Sequence, residues 1–286
     1  MAEMLSRMEI ERRRVPAASE DELVRSVAAG IIDELGITEP PTDVEMVASW
    51  LGIDGVVVDH DLPASGCLLQ RDDGVFEIRV KASDPITRQR FTIGHECAHT
   101  FFPGYATRPQ HRCSPREQPT DRRGIEGLCD IAASEILLPS RLFSPDAGEG
   151  AFGFTGLEDL AHRYKASLEA TARRYVDARP ESTALLLLSV RQKPSEQESL
   201  TPAKLRVDYA HRRGDWPYFL PSKSVTPGDP LDRAARGEPV SERCTITGIC
   251  VQPVTVDLHA QLCPVVVDGM PRTRVIALLR RRGHRR

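Results

Sequence analysis

No stretch of the 286 residues comes near the ~20 consecutive apolar positions that a membrane-spanning helix needs, so no spanning segment is expected. The opening segment, Met1 to Val15, has no apolar core either. It carries Glu9, Glu11, Arg12, Arg13 and Arg14, which is not how a secretory leader reads. No CxxC pair occurs among the seven cysteines, Cys67, Cys97, Cys113, Cys129, Cys244, Cys250 and Cys263, and an odd number does not close a disulfide framework. Most then serve as small core hydrophobes. Together these absences predict a cytoplasmic chain. Neither sign of charge dominates: a net charge of −3 gives no general attraction to nucleic acid, and a binder would need a local basic face. With 28% charged and 40% hydrophobic residues the composition is that of a globular protein, long enough for one or two domains with cores of their own.

Against that background stands His95-Glu96-Cys97-Ala98-His99. Four residues turn a helix by about 400°, so both imidazoles leave one face a single turn apart and can share one metal ion. Glu96, about 100° round the cylinder, is close enough to take a proton from the attacking water without being a ligand. Asp84 as capping acceptor and Pro85 at the first helical position predict the helix start; Pro103-Gly104 predicts its stop. Phe91, His95, His99 and Phe102 share a stripe, so the histidines should point inward.

A tetrahedral catalytic zinc needs a third protein ligand. The helix expected over 124–138 supplies candidates. Glu126 and Asp130 lie one turn apart, so Glu126 can ligate while Asp130 accepts the second N–H of a ligand histidine and fixes its tautomer. Glu135 is the rival. Nine residues place it on the face opposite Glu126, so a straight helix cannot bring both to one site. His111, in a loop rich in Pro, Arg, Gln and Ser between Tyr105 and Thr120, would compete with a ligand set already complete; the loop itself reads as a surface connection or a lid. Cys97 and Cys129 lie in the two motif helices, where they could report oxidation near the metal.

Elsewhere the periodicity predicts helices from Asp21 to Gly36 and from Val44 to Leu51, and strands at Gly55–Val58, Cys67–Leu69 and Val75–Val80, with Asp73-Gly74 as a hairpin turn. A small sheet of this kind can offer an edge strand to an extended peptide. Leu157 to Tyr164, Lys165-Ala166, then Leu168 to Val176 capped by Ser167 read as a helix-turn-helix-like hairpin. Its Arg163, Lys165, Arg173 and Arg174 could touch phosphates or form a solvated face. Beyond Arg179 strands dominate: Ala184–Val190, Lys204–Tyr209, Arg243–Val251, Pro264–Val267 and Arg274–Leu279, with Asp268-Gly269 as a hairpin turn between the last two. Arg280-Arg281-Arg282 and Arg285-Arg286 form a basic tail.

The run from Arg88 to His99, followed by Ile125-Glu126-Gly127-Leu128-Cys129-Asp130 and Ala132-Ala133-Ser134-Glu135-Ile136-Leu137-Leu138-Pro139, resembles the ImmA/IrrE family of metallopeptidases, and the two blocks fall at the family's usual separation. The resemblance implies an α+β chain with a gluzincin-like, zincin-type peptidase domain: His95, His99 and Glu126 on zinc, Glu96 as catalytic base, Asp130 behind the ligands. It also implies a helix-turn-helix-like module and a GAF-like α+β sensor domain for an unknown small-molecule ligand. The expected organisation is a disordered segment over 1–20, the peptidase domain over 21–150, the module over 151–179, the sensor over 180–280 and the tail over 281–286. Many relatives follow the motif helix with a further His where this chain has Pro103-Gly104; that His is not usually a ligand, so the metal site is unaffected. The activity implied is cleavage of a helix-turn-helix repressor of the XRE type, releasing stress or mobile-element genes. Two imidazoles and a carboxylate suit zinc, and the same ligand types accept manganese or iron. Tyr105 and Arg88 are only nearby in sequence as aids to the oxyanion. The alternative is a DNA-binding transcription regulator with a structural or vestigial metal site.

Overall fold

The computed structural model of the chain describes residues 5–16, 18–105, 110–112, 124–196, 201–263, 265–267 and 270–281. It divides into two compact units, Met1–Pro145 with Leu160–Ala170, and Asp146–Asp159 with Thr171–Arg286. The stretch 151–179, expected as one module, is shared between them.

The first unit opens with α1 (Arg7–Arg14). This helix stands within the segment 1–20 that was expected to be disordered. Ser6 and Glu9 form a reciprocal capping box, Met8 is buried, and the Met8 amide donates to the Phe101 carbonyl at 3.1 Å. Helix α2 (Glu20–Glu34) starts on a second box, Ser19 with Glu22, and buries Leu23, Val24, Val27 and Ile31 along one stripe. In α3 (Val44–Trp50), Asp43 accepts from the amides of Glu45 and Met46, both at 3.0 Å. Then come β1 (Ile53–Asp59), β2 (Gly66–Gln70) and β3 (Phe76–Lys81). The turn at Asp73-Gly74 closes the β2–β3 hairpin as expected, Gly74 taking φ +85° and the Arg71 amide donating to the Val75 carbonyl at 2.8 Å.

Helix α4 (Ile86–His99) carries the HExxH motif, and β4 (Gln110–Arg112) precedes α5 (Ile125–Leu137). Helix α4 begins one residue later than expected: Pro85 itself is the N-cap, and Asp84 contributes its carbonyl, which accepts from Gln89 Nε2 at 2.8 Å. The sheet runs β1-β3-β2-β4, with β1 parallel to β3 and the other pairs antiparallel. A strand thus stands within the segment expected to be loop. It pairs Gly66 with Arg112 and Leu68 with Gln110, so the outer edge of β2 belongs to β4.

Helices α6 (Ser140–Glu149), α7 (Phe154–Tyr164) and α8 (Leu168–Ala178) follow. Lys165, at φ +49°, makes the turn between α7 and α8, and Ser167 Oγ accepts from the Ala170 amide at 3.2 Å.

In the second unit β5 (Ser182–Arg191), β6 (Lys204–Arg213), α9 (Pro230–Ala235), β7 (Val240–Ile246) and β8 (Val254–Leu262) precede the short pair β9 (Val265–Val267) and β10 (Met270–Arg272), and β11 (Arg274–Arg281) ends the described chain. The sheet order is β6-β5-β11-β8-β7, antiparallel throughout. Both parities of β5 are buried, Leu186 and Leu188 as fully as Leu185 and Leu187, which is why this strand reads as an unbroken apolar run. Leu186, Leu188, Val207, Val256, Leu258 and Ala277 pack with Trp216, Phe219 and Leu231 in one apolar cluster.

The strand expected over 243–251 stops at Ile246, where Thr247-Gly248 turns the chain with Gly248 at φ +73°; it resumes as β8, whose Val254, Val256, Leu258 and Ala260 alternate into the core. Strand β9 pairs with β10 rather than with β11, since Val267 is already opposite Met270. The turn residues 268 and 269, and the tail from residue 282, lie outside the described residues. No helix among the described residues is long and apolar enough to cross a membrane.

Candidate metal centre

From Thr92 to His99 every residue of α4 is buried, the two imidazoles at 1% and 3% exposure and Glu96 at 0%, so the motif lies in the unit's interior. Gly94 makes that depth compatible with close helix packing. A Cβ there would meet Leu137 Cδ1 at 3.1 Å and Ala133 Cα at 3.4 Å, so α5 packs directly against the bare backbone of α4 at this point. At the other side β2 approaches as closely. A Cβ on Gly66 would overlap Thr92 Cγ2 at 2.2 Å and lie 3.7 Å from Glu96 Oε1, which puts the start of β2 beside the Glu96 carboxylate.

The histidine rings stand edge to face, centroids 5.0 Å apart at 72°. His95 Nε2 lies 3.1 Å from Glu126 Oε2, and His99 Nε2 lies 3.6 Å from Glu126 Oε1. Asp130 Oδ1 is 2.9 Å from His95 Nδ1. The four residues expected to form a ligand set and its support are therefore together. Glu135 is elsewhere occupied: its buried carboxylate accepts from the Ser140 amide at 2.7 Å and Oγ at 2.9 Å, capping α6, with Arg25 at 3.9 Å.

The donor chemistry fits a cation. With Nδ1–H donated to Asp130, His95 Nε2 carries a lone pair and confronts a carboxylate oxygen; two acceptors in contact are resolved by a positive ion between them. Metal–ligand bonds of about 2.0–2.1 Å on a tetrahedron put ligand atoms about 3.3 Å apart, and the two observed separations bracket that value. A second candidate grouping, His95, His99 and Cys129, lies with its ligand atoms within 4.8 Å of one another. The Glu126 set is preferred, because both Nε2 atoms face its carboxylate while Cys129 Sγ faces His99 Nδ1 at 3.6 Å.

Sequence reasoning missed the contact made by Cys129 and the close approach at Gly66. The first had a signal, since Cys129 stands three residues after Glu126 on the same helix; the second had none. Burial pushes the Cys97 thiol well up, and burial with the neighbouring Glu96 carboxylate pushes Cys67 up to about 11, so both stay protonated and inert to oxidation. Tyr105 packs on Phe76, ring centroids 5.3 Å apart. The side chain of His111 lies outside the described residues.

In the helical hairpin Arg163 and Lys165 are exposed. Arg174 is buried, and Arg173 is spread 4.4 Å over the Tyr209 ring with Nε donating to the phenol oxygen at 2.7 Å. In the second unit an open groove of about 320 Å³ is lined by Trp216, Pro217, Val251, Pro253 and Arg281 among others.

A Mycobacterium tuberculosis transcriptional regulator shares the fold, with a TM-score of 0.60 over 96% of this chain and 82% of that one, at 15% sequence identity. No curated protein matches the chain. Residues 56–175, which span the HExxH helix and the Glu126 helix, match the family model described as Peptidase_M78, the IrrE N-terminal-like domain. Over those residues the chain is similar to the ImmA/IrrE family of peptidases.

Proposed function

We propose that this chain is a zinc-dependent endopeptidase whose substrate is a helix-turn-helix repressor of the XRE type, cleaved to switch on the genes it holds silent. The observation that carries the reading is the convergence of both histidine Nε2 atoms on the Glu126 carboxylate, deep in a domain of a peptidase family. His95, His99 and Glu126 would hold the ion; manganese or iron would meet the same donors. When bound, zinc polarises the scissile carbonyl and makes water a nucleophile near neutral pH.

The chain's own residues do the rest. Asp130 accepts a hydrogen bond from Nδ1–H of His95 and so keeps the Nε2 lone pair turned toward Glu126. Glu96, buried beside the first residue of β2, receives the proton that the attacking water gives up and returns it to the leaving amine. An extended peptide can add to either outer strand of the sheet, β1 or β4. The wider reading, cytoplasmic action and control by a GAF-like second unit, rests on resemblance to the family and on the antiparallel sheet.

The test is co-expression with neighbouring small repressors, scored for metal-dependent truncation. Glu96→Gln should keep the metal and lose cleavage by about 10²–10⁴-fold, the usual worth of a general base, while His99→Ala loses both. Equal cleavage by wild type and Glu96→Gln would remove Glu96 from the mechanism.

A further inference from the structure

Two adjacent residues of α5 address the far nitrogens of the two imidazoles. Asp130 Oδ1 stands 2.9 Å from His95 Nδ1, and Cys129 Sγ stands 3.6 Å from His99 Nδ1. Cys129 is fully buried and His99 nearly so, so this contact is sheltered from bulk water. We propose that Cys129 is a positioning residue of the metal site: its sulfur accepts the Nδ1–H of His99, fixes the tautomer whose lone pair is on Nε2, and so tightens metal binding from outside the ligand set. The proposal rests on the hydrolytic reading above and deepens it.

The spacing explains why one helix can do this for both rings. Glu126 and Cys129 are three residues apart, Glu126 and Asp130 four, so all three side chains leave neighbouring positions on the same side of α5. The carboxylate of Glu126 then faces the Nε2 atoms while the next turn reaches round to the Nδ1 atoms. The two supports differ in kind. Asp130 offers a charged oxygen at ordinary hydrogen-bond distance; a thiol sulfur is a weak acceptor. His99 is thus the more loosely oriented of the pair, and losing its support should cost less than losing Asp130. Direct ligation by the sulfur is the rival reading, since the ligand atoms of His95, His99 and Cys129 lie within 4.8 Å of one another; positioning is preferred because the sulfur meets His99 at Nδ1, whereas the Glu126 carboxylate faces both Nε2 atoms.

The test uses the full chain with Cys129→Ala, Cys129→Val and Cys129→Ser. Zinc affinity is measured by competition with a chromophoric chelator, and the His99 tautomer of the metal-free protein by nitrogen-15 NMR. Changes behind a metal ligand cost about 10–100-fold in affinity. For a weak acceptor the lower end is expected, about tenfold, in both Cys129→Ala and Cys129→Val, with mixed tautomers of His99. Cys129→Ser, which keeps an acceptor, should recover most of both. A packing role alone would instead separate Ala from Val and leave the tautomer untouched. Unchanged affinity and tautomer in both apolar variants would overturn the proposal. So would an intense near-ultraviolet thiolate-to-metal band in the cobalt-loaded wild type, which would make the sulfur a ligand. If wild type holds no divalent ion, the hydrolytic reading falls, yet the metal-free tautomer still decides this one.

Discussion

In the first unit Thr92, His95, Glu96 and His99 bring four buried polar groups onto one helix, whereas in the second Arg179, Arg206 and Asp257 are buried far apart in the sequence and each meets its complement. Arg206 Nη2 donates to both carboxylate oxygens of Glu196 at 2.8 and 2.9 Å, and Nη1 donates to the Ser222 carbonyl at 3.0 Å. Arg179 holds Glu181 and the carbonyls of Ala147 and Gly150. Asp257 meets Arg280 at 3.1 Å. Desolvating a charge costs several kcal/mol unless geometry returns it, and in the second unit it visibly does. The polarity there is explained by architecture. On α4 both imidazoles instead face the Glu126 carboxylate through Nε2, an arrangement whose donor set can hold a cation.

The sharpest way to break this contrast is to damage the second unit where it has no polar business. Leu186 is fully buried in the apolar cluster, and Leu186→Ala should lower stability by about 2–5 kcal/mol through lost transfer energy and the cavity left behind. Denaturant unfolding measures the loss, and slower hydrogen exchange in β5, β8 and β11 should give way to faster. A loss below about 1 kcal/mol would mean that this cluster is not the unit's core.

A smaller effect tests the first unit. Gly66→Ala forces a methyl against the side chain of Thr92 and within 3.0 Å of the Arg79 carbonyl, and Thr92, branched and buried, has little room to turn aside. The expected cost is about 1–3 kcal/mol, with β2 pushed off α4 at Glu96. Gly55→Ala in β1 is the control, since a Cβ there meets nothing within 4 Å. Equal melting of the two variants would show that β2 does not press on the motif helix.

The centre was more legible in the sequence than its surroundings, for a physical reason. His95, His99, Glu126 and Asp130 are related by helical spacing, and a helix turns spacing into direction without help from the rest of the fold. The stripe of α2 and the β2–β3 turn were readable on the same ground. Helix α1 was not, because its charged sequence holds no apolar period; the Ser6 box and one buried methionine hold it. Strand β4 is three residues long, too short for a period of two to show. Gly66 matters only because α4 passes over it, and Cys129 reads as a small hydrophobe until an imidazole stands beside it. Glu135 shows the reverse: sequence offered a second acid on α5, and the fold uses it to cap α6.

The smallest expected effect concerns a histidine of the second unit that is not a ligand. His259 of β8 lies with its ring centroid 5.2 Å from that of Phe152, edge to face, and Nδ1 is 3.1 Å from Ser241 Oγ. Burial, and then the Arg280 guanidinium, hold its pKa below the ordinary imidazole value, with Asp257 opposing. The unfolded chain therefore takes up a proton that the folded one refuses, so stability from this group is complete above the unfolded value of about 6.5 and is lost as pH falls toward the depressed one. Acidification from neutral pH should accordingly lower the melting temperature more in wild type than in His259→Gln, which has no proton to take. A wild type whose melting falls no faster than the variant's would mean that His259 can be protonated in place. Its burial beside a cation would then have to be relieved by movement of Arg280 or Phe152, and the second unit's polarity would be less fixed than its pairing suggests.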